Sequence, residues 1–129
     1  LANAVFTACL HEKLQSINSN IKSLVAHPGL AITELQSSTI KDGGMGAFMT
    51  NKIMRGGQTM EDGAIGIISC ISSIETKSGN FYGPGSGKMA MKGPVIKFNL
   101  ESFYNNRKNM DILWKKSCEA IEEKFNIIK

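Results

Sequence analysis

Residues 21–26, "IKSLVA", form a short apolar run that stops at Pro28-Gly29. Leu24, Val25 and Ala26 are apolar in succession, so a strand here should be covered on both faces, as in a parallel sheet. Ahead of it, Leu1, Val5, Cys9, Leu10 and Leu14 recur at helical spacing, and the polar tract "NSN" at 18–20 stops that helix near Ser16. A helix, a short polar turn and a doubly covered strand make one unit of an α/β fold.

Composition narrows the class. At 129 residues the chain is one domain or part of a larger one. Its 42% hydrophobic and 20% charged content is that of a soluble globular protein. Cys9, Cys70 and Cys118 are odd in number with no C-x-x-C pair, which predicts reduced thiols and a cytoplasmic setting. The net charge of +4 is spread over scattered lysines with no arginine-and-aromatic stripe, so nucleic-acid binding is not expected. The longest apolar run, 63–71, falls far short of the ~20 residues of a membrane span, and no secretory signal is visible. No Ser, Thr, Asp or Asn precedes Leu1 to cap the first helix, so the expectation is a helix cut in its middle.

After Pro28-Gly29 the chain is rich in Gly and Met. Residues 45–54 read as a helical turn or two between the joints Gly43-Gly44 and Gly56-Gly57, serving either as a lid or as packing. Thr59 and Asp62 have capping-box spacing, and the helix they open, "MEDGAIGIISCISSI", is apolar nearly all round and should pack on a sheet. "SGNFYGP" at 78–84 reads as a turn, a short strand and a break, followed by a glycine-rich loop to Pro94. The segment 105–125 is the clearest helix, with Met110, Leu113, Trp114, Cys118, Ile121 and Phe125 on one face.

Several motifs fail on chemistry. "GPGSGK" at 83–88 has Tyr82 where a phosphate loop needs Gly, and Met89 where it needs the hydroxyl that holds Mg²⁺. Lys88 likewise breaks the dinucleotide pattern G-x-G-x-x-G. His11 reads as solvated, and neither it nor His27 has a Cys, Asp or Glu at metal-ligand spacing. No serine sits in a G-x-S-x-G elbow, Cys70 reads as core, and the pairs Glu61-Asp62 and Glu122-Glu123 read as caps or solvated faces.

Two readings fit Pro28-Gly29 and Thr33. In one, Pro-Gly simply ends a strand and Thr33 caps the next helix. Alternatively, bare backbone groups beyond the strand's carboxyl end, with the Thr33 hydroxyl, meet a flat amide where open α/β sheets bind ligands.

"LAN-x-x-F-x-x-x-L" followed by a strand and "HPG-x-x-x-TEL" resembles the short-chain dehydrogenase/reductase family, in its retinol-dehydrogenase-like and protochlorophyllide-reductase-like branch. "EDGA" at 61–64, "SGNFYGP" and the Trp-containing last helix agree with it. The resemblance spans residues 1–129 but only the last half of a family member. It implies the C-terminal portion of a Rossmann-like, doubly wound parallel sheet with flanking helices. Family precedent puts the nicotinamide end of NAD(P) against the backbone of Pro28, Gly29, Leu30 and Ala31 and the hydroxyl of Thr33. It also implies a carbonyl or alcohol substrate, with contacts in 36–57, and a homodimer through the first helix. The glycine fingerprint and the catalytic Ser, Tyr and Lys would lie upstream of Leu1. The rival expectation is a free-standing, non-catalytic interaction module that docks through an exposed first helix.

Overall fold

A computed structural model describes residues 1–33, 46, 48, 55–86, 91–99 and 104–127. Among these the chain is α/β. Its helices are α1 (Ala2–Ser16), α2 (Met60–Ser72) and α3 (Arg107–Ala120), and its strands are β1 (Val25–Ala26), β2 (Phe81–Ser86) and β3 (Lys92–Phe98). The strands form an open mixed sheet in the order β1-β2-β3. Val25 N–H donates to the Asn80 carbonyl at 3.3 Å and His27 N–H to that of Tyr82 at 3.0 Å. Both partners advance together, so β1 and β2 are parallel. The expected strand over 21–26 is thus shortened to its last two residues. The expected break at Pro84 lies inside β2, and the loop expected up to Pro94 gives way to β3 from Lys92.

Pro84 explains why β1 is short. After His27 N–H bonds to Tyr82, a parallel ladder would next take a donor from residue 84, and proline has none. On β1's side the next donor would be Gly29 N–H, which turns back to His27 Nδ1 instead.

The chain divides into two compact units, one of Leu1–Val25, Ser73–Phe81 and Lys97–Lys129, the other of Ala26–Ser72 and Tyr82–Ile96. In the first, α1 and α3 pack together around Val5, Ala8, Cys9 and Met110, the last only 1% exposed, with Tyr104, Leu113 and Trp114 against them. Asn106 caps α3, its side chain accepting from Asn109 N–H at 3.3 Å. Trp114 stacks on Phe6 at 5.8 Å, meets Phe125 at 5.6 Å and carries the Lys13 ammonium 4.5 Å above its ring. α1 thus buries its apolar side within its own unit. Leu1, assigned to the buried stripe, is exposed, and Ala4 and Ala8 take the close contacts instead. Asn18 ends α1 at φ 53°, as the polar tract implied.

In the second unit, α2 opens as its capping spacing predicts, with Asp62 N–H donating to Thr59 Oγ1 at 3.1 Å. Its packing differs from expectation. Gly63 and Gly66, spaced i,i+3, are its buried residues. A Cβ on Gly63 would stand 2.8 Å from that of Ala31, and one on Gly66 would stand 3.6 Å from that of Ala26. The helix approaches the β1 segment on its smallest residues and leaves Ile65, Ile67, Ile68 and Ile71 exposed.

Candidate functional site

The segment His27–Thr33 leaves β1 at its carboxyl end and is tied down residue by residue. Gly29 lies at φ +63°, and any Cβ there would run into the Met91 carbonyl oxygen and stand 2.6 Å from Pro84 Cγ, so only glycine fits this turn. Its N–H donates to His27 Nδ1 at 3.0 Å. The neutral ring therefore carries its proton on Nε2, and burial pushes the imidazole below its ordinary pKa. The same ring lies against Gly83, where a Cβ would collide with it.

Gln58 holds the rest. Its backbone N–H donates to the Leu30 carbonyl at 2.9 Å and its carbonyl accepts from Ile32 N–H at 2.9 Å, forming a parallel bridge with Ala31. Its side chain, on a residue 8% exposed, donates from Nε2 to the Pro28 carbonyl at 2.8 Å and accepts from Gly93 N–H at 3.0 Å through Oε1. Leu30 N–H donates to the Met91 carbonyl at 2.8 Å. Beyond the turn lies an open groove of about 630 Å³, bounded by Ile32, Gln58, Thr59, Ile65, Lys92 and Pro94 among others.

Pro28, Gly29, Leu30, Ala31 and Thr33 thus share one tied-down stretch, but of this segment it is Ile32 that lines the groove, and none of those five does. The expectation of bare backbone groups is corrected: the N–H groups of Gly29 and Leu30 and the carbonyls of Pro28 and Leu30 all have partners within the chain. Ala31 and Thr33 are also engaged. A carbonyl oxygen still has a second lone pair, so the segment suits a ligand that brings its own N–H donors. Pro28 is exposed and Thr33 half-buried.

Sequence reasoning missed Gln58, because a lone glutamine between two glycine-rich stretches carries no periodic or spacing signal. His11 was also misread as solvated: its Nδ1 lies 2.9 Å from Ser78 Oγ and its ring is half-buried. Cys70 is half-buried rather than core, although burial still raises its thiol pKa. Glu122-Glu123 lie past the end of α3. The helical expectation for 45–54 and most of the substrate-side segment 36–57 lie outside the described residues. Tyr104-x-x-x-Lys108 has the spacing of the family's catalytic couple, but Tyr104 precedes α3 and packs on the α1/α3 core, so the two share no helix face.

No helix among the described residues is long and apolar enough to cross a membrane. No family model, curated protein or solved structure matches this chain.

Proposed function

We propose that the chain is the C-terminal part of a short-chain dehydrogenase/reductase-type oxidoreductase, and that His27–Thr33 forms one wall of its nicotinamide pocket. The observation carrying this reading is the Pro28-Gly29 turn: it is held by hydrogen bonds from within the chain and lies at the carboxyl end of a strand parallel to its neighbour. A helix precedes that strand and a threonine follows the turn, in the order the resemblance implies.

The fit to a nicotinamide amide is one-sided and chemically sensible. The second lone pairs of the Pro28 and Leu30 carbonyls suit the amide's N–H₂, and the Thr33 hydroxyl suits its oxygen. The bound cofactor supplies the hydride exchanged with a carbonyl or alcohol carbon. These residues contribute orientation and water exclusion, and the proton donor belongs to the upstream part of the parent protein.

The test begins with the coding sequence ahead of Leu1, where a glycine-rich fingerprint and a Tyr-x-x-x-Lys ending directly before Leu1 are expected. Their absence sinks the proposal. In the intact protein, Thr33→Ala should weaken NADPH binding about tenfold, the worth of one hydrogen bond, as read by quenching of cofactor fluorescence. Isolated residues 1–129 should show no tight NADPH binding by calorimetry.

A non-catalytic interaction module is the second reading. The exposed isoleucines of α2, in place of the first helix, favour it. A start codon or an unrelated domain ahead of Leu1 would select it.

A further inference from the structure

Lysines that look scattered along the chain converge in the unit built on α1 and α3. Lys22, Lys77 and Lys97 come from the loop after α1, the loop after α2 and β3, and they line one groove of about 590 Å³. His11, Asn20 and Asn80 line it with them, and among the described residues no carboxylate or arginine does. The nearest acids along the chain are turned to other uses or lie outside: Glu12 pairs with Arg107 at 2.9 Å, and Glu75 is an exposed residue ahead of the groove's Thr76.

The wall is firm. His11 Nδ1 meets Ser78 Oγ at 2.9 Å, and that same oxygen accepts from Ser23 N–H at 2.9 Å. Ser23 Oγ donates to the Thr7 carbonyl at 3.0 Å, anchoring the loop to α1. A Cβ on Gly79 would stand 2.6 Å from the His11 ring, so the ring has one place to lie. Lys22 Nζ donates to the Ile74 carbonyl at 3.2 Å, which fixes its ammonium at the rim with further N–H donors to spare.

Cations gathered in a concave site focus a positive field, and the site gains most from an anion of more than one charge. Lysine acts as a point charge and suits phosphate, whereas planar carboxylate recognition favours the arginine fork that is missing here. We propose that this groove binds a phosphorylated small molecule carrying at least two negative charges, held by Lys22 and Lys97 with the Asn20 amide and the second N–H of the Asn80 amide, whose first donates to the Lys77 carbonyl at 2.9 Å. The groove's size leaves room for an organic moiety beyond the phosphate. The site is independent of the redox reading and stands if that reading falls.

Inorganic pyrophosphate, titrated by calorimetry at low ionic strength, is the soluble probe. Phosphatidylcholine vesicles containing phosphatidylinositol bisphosphate form the second arm. We expect saturable binding that weakens as salt is added, with Lys22→Gln and Lys97→Gln each lowering affinity about tenfold. Lys115→Gln, outside the groove, should leave it unchanged. Both lysines are exposed, so the variants should fold, and far-UV dichroism checks this. Binding of free pyrophosphate identifies a soluble ligand, and binding of vesicles alone identifies a headgroup. The proposal is overturned by no saturable binding in either arm, by binding indifferent to both substitutions, or by single-stranded RNA binding more tightly through the same lysines.

Discussion

Gln58 and His27 carry the residue-scale consequences. Replacing Gln58 with leucine leaves the Gly93 N–H and the Pro28 carbonyl without their partners, which should cost about 1–3 kcal/mol, read from the urea midpoint. For His27 the native pKa lies below the unfolded one, because burial disfavours the charged ring. The unfolded chain therefore binds the proton first, and stability should fall as pH drops below about 6.5. Comparing urea midpoints at neutral and mildly acidic pH, with His27→Gln as the reference, isolates this contribution. A slope identical in both proteins would remove it. Neither residue announced itself in the sequence. Proline and glycine are legible because they restrict or free the backbone locally, and so the turn at 28–29 could be read directly. A glutamine that bridges residues 30 and 35 positions away has no local signature. Gly29 is the converse case: φ +63° and the nearby Met91 carbonyl predict that Gly29→Ala loses about 1–3 kcal/mol by the same measurement.

At the scale of elements, the helices were legible and the strands only in part. Capping spacing located the start of α2 because Thr59 and Asp62 act within one turn. The polar tract located the end of α1, and the apolar stripe of the last helix located α3 through Cys118, while Ile121 and Phe125 lie past its end and are exposed. β3 was hidden because Gly93 and Pro94 look like loop residues, yet β3 is an edge strand, the place in a sheet where proline is tolerated. The face of α2 was misjudged for a different reason. Hydropathy ranks isoleucine above glycine, but close approach to Ala26 and Ala31 selects the smaller residue. The four exposed isoleucines should therefore be dispensable for stability. Ile68→Glu with Ile71→Glu should shift the unfolding midpoint little and reduce light scattering at high concentration. A loss of several kcal/mol would mean that this face is packed after all.

At the scale of the molecule, charge was the property least legible from the linear chain. A total of +4 with dispersed lysines suggests no site, and only the fold brings Lys22, Lys77 and Lys97 to one groove. Among the described residues, β1 and β3 are the two borders of a three-stranded sheet, the places where a further strand can pair. Isolated residues 1–129 should accordingly aggregate on heating, and a sharp, reversible transition would contradict this.

Trp114 adds a practical consequence. It is the chain's single indole, and it sits between Phe6, Phe125 and the Lys13 ammonium in the helical unit. The protein thus carries a native optical label on one of its two halves. Emission will follow the melting of the α1/α3 pair while remaining silent on the Pro28–Thr33 turn, whose fate must be read by dichroism or amide exchange.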